Sequence, residues 1–459
     1  MELIRLLLCL AVTVLIGYSL LVIILHRSDA LSVAERLSLS YGVGIGAAAL
    51  QMFIYYFLNI PYTIINLLVF WAPVVAVGLL LPRRTAQPAG PKSRLSLFEK
   101  FLMGGIALEV ILAFLRAFLK PLEAFDSVAM YAIRSKIIFA SGMIPGDFFT
   151  NMTLRWPNPD YPLLLPLAQV WVYTFLGGLN DLAVKVLFPS YFLSFLAGFY
   201  FLLKRFVSRR ESLIFTFILA SIPQVNRFAT NGYTDLILAY YYSIGVMLLL
   251  LGMKDKMIQR MVWGGLFLGF AAFTKNEGIA LLAITAIVSI PYILIYLKRR
   301  GAKTMRQAVL SLAIAFIAIS PWLWTRARYG LDNDVLKLHG ALPERIIGIF
   351  GHLDRIPIIM YEFQKQFFGP KKWNIVWIIF FLLFLANIRK SFREETAYVS
   401  VSIIAMFILY SSIYLIIPVD GPINWFVATG VSRLLIHIVP LAVLLTALLC
   451  RERRLIEAP

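Results

Sequence analysis

Apolar residues fall in long stretches along this chain, each closed by a short polar or basic run. A hydrocarbon core about 30 Å thick takes about 20 apolar residues of helix. Read at that length, the pattern predicts 13 spans, near 3–25, 37–57, 62–82, 99–119, 182–204, 211–228, 233–252, 259–275, 277–297, 307–326, 373–388, 397–417 and 431–450. Two more stretches read as helices lying on or dipping into the membrane interface. One is 125–141, with Arg134 and Lys136 among apolar positions; the other is 161–177, apolar but short, opening on Tyr161-Pro162. The first span is long and no small-x-small cleavage site follows it, so it reads as a membrane helix rather than a signal peptide. The expected fold class is an all-α polytopic membrane protein.

Composition agrees. Of 459 residues, 60% are hydrophobic and 15% charged, against roughly 25% charged in soluble domains. A soluble enzyme, a disordered chain and a disulfide scaffold are excluded. The net charge of +19 raises the question of nucleic acid, but the bases sit in short runs between spans, and no nucleic-acid partner is expected. With 13 spans, 25 of the 43 Lys and Arg fall on one face, from Arg27 and Arg36 through Lys204, Arg205, Arg209 and Arg210 to Arg451, Arg453 and Arg454. Positive charge marks the cytoplasmic side. The N-terminus is then external and the C-terminus cytoplasmic, and two long loops, about 120–181 and 328–372, are external. Cys9 and Cys450 lie at opposite ends of the chain, and the four histidines show no metal-ligand spacing.

Ionisable groups at the edge of a bilayer are expensive and mark functional candidates. On the external side these are Asp126, Asp160 among three prolines, Asp235 after Asn231-Gly232, and Lys275-Asn276-Glu277 between two apolar spans. Helix caps or a solvated hairpin tip would explain each of them more plainly. External cations are Arg326, Arg328, Lys337, His339, Arg345, His352 and Arg355, with Arg433 and His437 four residues apart on one helical face. Glu109 and Arg116, seven apart in the fourth span, read as a buried ion pair or as a second route for Arg116 to the external site. Carboxylates serve as general bases, and guanidinium groups bind phosphate bidentately. A lipid-phosphate-linked sugar suits both the spans and the charges. A transporter or flippase for such lipids is the alternative, since charges inside a bundle also mark transport paths. Against it, no internal repeat is visible and the candidates cluster on one face.

The segments Phe125-Asp126 through Lys136 and Gly142-Met-Ile-Pro145, Asn158-Pro-Asp-Tyr-Pro162, Gly232-Tyr-Thr-Asp235, Phe273-Thr-Lys-Asn-Glu-Gly278, Pro321-Trp322 with Arg326, and Ser432-Arg433 to His437 run in order. Together they resemble the GT-C membrane glycosyltransferases, especially the relatives of glycosyltransferase family 39, which include protein O-mannosyltransferases and aminoarabinose transferases. The resemblance implies a GT-C-like bundle of about 13 transmembrane helices with external juxtamembrane helices. It would comprise N-terminal helices (1–98), a catalytic core (99–327) including loop 120–181, an external loop (328–372) and C-terminal helices (373–459). It implies transfer, with inversion, from a polyprenyl-phosphate sugar to a lipid, glycan or protein acceptor. The expected setting is the external, periplasmic face of a bacterial inner (plasma) membrane, among membrane lipids. Asp126 would be the base; Asp160 and Asp235 would position hydroxyls; Lys275, Arg326 and Arg433, with His437 beside them, would bind the lipid phosphate; Glu277 would orient Lys275. The chain departs from the family pattern in its three extra leading spans and in the single Asp at 126, where many relatives have an acidic pair. No cofactor is required by the sequence, and divalent metal use stays open.

Overall fold

The computed structural model describes residues 1–25, 30–81, 94–151, 159–296, 301–331, 348–416 and 422–451. Lys337, His339, Arg345, Asn158 and several members of the basic clusters lie outside these. The described residues are helical throughout, without a strand. The principal helices are α1 (Glu2–Ile24), α2 (Val33–Leu58), α3 (Ile64–Leu80), α4 (Leu97–Leu119), α5 (Ile133–Ala140), α6 (Leu164–Leu176), α7 (Leu187–Leu203), α8 (Arg209–Ala220) and α9 (Pro223–Phe228). They continue with α10 (Asp235–Asp255), α11 (Ile258–Thr274), α12 (Asn276–Tyr296), α13 (Gly301–Tyr329), α14 (Ile356–Phe367), α15 (Val376–Ala386), α16 (Glu394–Ile416) and α17 (Ile423–Cys450).

Nine of the described helices are long and apolar enough to cross a membrane, and the chain is an integral membrane protein. Three expected spans come out shorter. The range 211–228 breaks at Ile222, because Pro223 starts a new helix and cannot continue an old one. The range 373–388 is interrupted by Asn374 at φ 51°, leaving the 11 residues of α15. Helix α3 stops at 17 residues, whereas α11 keeps the 17 residues expected of 259–275. The last span is longer than its expected range and starts at Ile423, so Arg433 and His437 lie well inside α17 rather than at its tip.

The two expected interfacial helices also differ from their description. Every residue of α6 is buried, because α1, α2 and α5 pack around it. Residues 127–132 form a π-helical turn that continues into α5. Arg134 is 1% exposed there, with Nη1 3.4 Å from the Tyr161 carbonyl, while Lys136 pairs with Asp181 at 2.6 Å. These charges are taken up by protein rather than by a lipid surface. Glu109 and Arg116 form no ion pair with each other; Glu109 is half-buried and Arg116 exposed.

Helix α10 is the axis of the bundle, buried from Asp235 to Met253. Lipid tails are as apolar as leucine, so packing and polar contacts between helices must fix its neighbours. Tyr241 donates to the Gly42 carbonyl at 2.7 Å and touches Tyr191 at 3.1 Å; Ser194 reaches Tyr240 at 3.0 Å and the Ser38 carbonyl at 2.6 Å. These bonds tie α2, α7 and α10 together.

One end of α10 carries the basic clusters and the other carries Asp235. At 1.5 Å per residue these ends are about 30 Å apart, one hydrocarbon thickness. At the basic end, α2, α4 and α8 each begin with a capping box, Ser32/Glu35, Ser96/Glu99 and Ser208/Glu211. Two of these glutamates also bind a neighbouring helix end. Glu35 accepts from Arg205 through both carboxylate oxygens at 2.6 Å, and Glu99 meets Arg209 at 2.7 Å. Glu35→Ala therefore removes a cap and a partly buried bidentate pair together. It should cost at least about 2 kcal/mol, read as a lower thermal midpoint in detergent, with Ser32→Ala costing less.

Candidate active site

The site forms where four helix ends and two loops meet. Asn231-Gly232 makes the turn that launches α10. The Asn231 side chain accepts from the Tyr233 backbone N–H at 3.1 Å, and Gly232 sits at φ 90°. A Cβ on Gly232 would lie 2.6 Å from the Ser127 Cβ, so this turn is pressed against the segment that carries Asp126. Gly232→Ala combines left-handed strain with that clash. It should misplace Asp126 and lower activity by at least about tenfold, in line with the sensitivity of catalysis to displacements of an ångström; a variant with full activity would separate the turn from the site.

Asp235 follows in the first turn of α10, where the helix dipole favours a carboxylate. It is fully buried and collects three partners. Lys275 Nζ is 3.1 Å from Oδ1, His437 Nε2 is 3.3 Å from Oδ1, and Arg433 Nη2 is 3.2 Å from Oδ2. Lys275 is the single extended residue between α11 and α12. The two helices turn this sharply because Gly278 passes 1.9 Å, measured from a built Cβ, from the Ala271 carbonyl oxygen. The same turn puts Glu277 Oε1 2.7 Å from Lys275 Nζ.

Arg433 joins the two acids. Its Nη1 donates to Asp126 Oδ2 at 2.5 Å while Nε and Nη2 face Asp235, and its guanidinium lies 4.7 Å from the centre of the Tyr233 ring. Asp126 makes no side-chain cap on its own helix, so the plain capping role does not apply. Asp160 caps no helix either. It is 1% exposed, accepts from Asn276 Nδ2 at 2.5 Å and lies 3.9 Å from Arg326 Nη2. Burial pushes its carboxyl above the ordinary range, and Arg326 and Asn276 pull it part of the way back.

All eight candidates, Asp126, Asp160, Asp235, Lys275, Glu277, Arg326, Arg433 and His437, thus fall in one connected cluster at one end of the bundle. Three acceptor oxygens in it are buried without a hydrogen-bond partner: Asp160 Oδ1, Asn276 Oδ1 and Glu277 Oε2. Such atoms call for donors. Among the described residues no group of three or more His, Cys, Asp or Glu is arranged to hold a metal ion. Arg328, stacked on Trp324, and Arg355, donating to the Tyr414 carbonyl at 3.2 Å, are engaged elsewhere.

Sequence reasoning missed Tyr410, whose Oη is 2.8 Å from His437 Nδ1, and Tyr131, whose Oη meets Thr234 Oγ1 at 2.8 Å. A tyrosine in an apolar span carries no signal that separates it from the many core tyrosines.

Residues 160–324 match the family described as dolichyl-phosphate-mannose-protein mannosyltransferase. That range contains Asp160, Asp235, Lys275 and Glu277, whereas Asp126, Arg326, Arg433 and His437 lie outside it. No curated protein matches the chain. Over residues 160–324, and in its helical membrane fold, the chain is similar to the GT-C membrane glycosyltransferases of family 39, enzymes that use lipid-linked sugar donors.

Proposed function

We propose that the protein transfers a sugar from a polyprenyl-phosphate donor to a lipid, glycan or protein acceptor at the periplasmic face of a bacterial inner membrane. The observation that carries this reading is the Arg433–Asp126 contact, which sets a phosphate-binding guanidinium beside a carboxylate able to act as base. Asp126 takes the acceptor proton as the acceptor oxygen bonds to the anomeric carbon. The bond from that carbon to the phosphate oxygen breaks, and the electron pair leaves with the polyprenyl phosphate. Attack opposite the leaving group inverts the anomeric centre. Arg433, Lys275 and Arg326 stabilise the phosphate as its charge develops.

Asp160, Asn276 and Glu277 offer the unpaired acceptors that sugar hydroxyls satisfy. Asp235 is fully buried under its three partners, and its role is to hold Arg433, Lys275 and His437 rather than to touch a hydroxyl. The decisive experiment presents a panel of polyprenyl-phosphate sugars and acceptors to the protein in proteoliposomes and weighs the products by mass spectrometry. Transfer gives an acceptor heavier by one sugar together with free polyprenyl phosphate. Movement of intact lipid-linked sugar across the bilayer without a product would instead establish a flippase.

A further inference from the structure

Every cation of the cluster already has a carboxylate: Arg433 has Asp126 and Asp235, Lys275 has Asp235 and Glu277, and Arg326 has Asp160. An arriving phosphate that takes Arg433 must therefore exchange with one of the two acids that hold it. Those acids are not equivalent. Asp235 is 0% exposed, stands in the first turn of the central helix and is held by three side chains. Pulling a partner away from such a buried charge is strongly destabilising.

Asp126 is the more accessible partner. Its side chain is 18% exposed and meets Arg433 through one oxygen. It sits where the loop after α4 enters the π-helical turn Ser127–Ala132, a geometry found mostly as single turns and often at functional sites. Water can take over a carboxylate that is partly exposed. Arg433 would stay in place during the exchange, since Asp235 still binds it on two nitrogens and Tyr233 lies against its face.

Building on the glycosyl-transfer reading, we propose that the donor's phosphate displaces Asp126 from Arg433, so that the base is released only once the donor is bound. While Nη1–H holds Asp126 Oδ2, the carboxylate is tied to the guanidinium and is not free to turn toward an acceptor hydroxyl. When the phosphate takes Nη1, the carboxylate is set free beside the anomeric carbon it must serve. Donor binding then precedes acceptor activation, and an acceptor or water that enters an empty site meets a base still tied to Arg433.

The exchange has a signature in binding alone. Asp126 competes with phosphate for Arg433, so removing it should tighten binding of the phosphate, whereas removal of a merely structural residue would leave it unchanged or weaken it. The probe is polyprenyl phosphate without sugar, titrated into the full-length protein in nanodiscs. Asp126→Ala should bind it about tenfold more tightly than the native protein, the size of one freed charge-assisted hydrogen bond. Asp126→Asn, which keeps a neutral acceptor, should show a smaller gain in the same direction and decides the matter if the alanine variant does not fold. Glu123→Gln removes a nearby charge that pairs with Lys120 at the surface, not with Arg433, and should stay within about twofold of native. Unchanged or weaker binding in the Asp126 variants, or equal tightening in Glu123→Gln, overturns the exchange and leaves the transferase reading standing. Failure of the native protein and all variants to bind the lipid overturns the transferase reading, and the exchange with it.

Discussion

Asp126→Asn abolishes sugar transfer, by at least about 100-fold, while polyprenyl-phosphate binding persists. A positioned general base contributes typically about 10² to 10⁴ in rate. The amide keeps the size and the acceptor oxygen of the carboxylate, so Arg433 retains a neighbour and the π-helical turn retains its shape. The loss is thus confined to proton removal. Product formation by mass spectrometry and lipid binding, measured on the same preparation, check both halves. Turnover near the native rate in this variant would sink Asp126 as the base and shift attention to Asp160 and Glu277, the two acids of the cluster with a buried unpaired oxygen.

Asp235→Ala dismantles the cluster. Lys275, Arg433 and His437 lose their common partner in a place where Lys275 is 4% exposed and His437 fully buried. Breaking a buried pair costs roughly 3–5 kcal/mol, and less here because Glu277 still faces Lys275 and Asp126 still faces Arg433. Thermal unfolding should occur at a clearly lower temperature, and donor binding should weaken because Arg433 is no longer anchored. Asp235→Asn, which keeps acceptor capacity at Oδ1, should lose stability less than it loses activity. A native thermal midpoint and native binding in Asp235→Ala would mean that the cluster is assembled by its backbone and not by this carboxylate.

How much of this was legible in the sequence depended on contrast. Lys275, Asn276 and Glu277 stand out because apolar residues flank them for many positions on both sides, and Arg433 and His437 stand out because helical spacing puts them on one face. Order along the chain then suggested that they meet. What the sequence could not supply was pairing. Asp235 and Asp126 have equal standing as isolated acids, yet one is fully buried under three donors and the other, partly exposed, pairs with Arg433. That difference comes from the depth of each residue in the bundle, which is a property of packing. The lengths of α3, α8 and α15 were misjudged for a different reason. Hydropathy counts apolar residues but not where a helix stops, so a shortened or broken helix reads as a full span. Pro223 and Asn374 mark two of the breaks, but an apolar window averages over them.

The enclosure of α10 separates two jobs. It delivers Asp235 to the cluster without presenting any of its length to lipid. Helices α12 and α13, which bring Glu277 and Arg326 to the same cluster, have less than half of their spanning length covered and show Ile287, Ile290, Leu294, Phe316 and Ile317 outward. A polyprenyl tail whose head lies in the cluster has those outer surfaces to run along, while its sugar meets residues from other elements. Preference for the length of the isoprenoid chain and preference for the sugar are then separate traits, open to change one without the other.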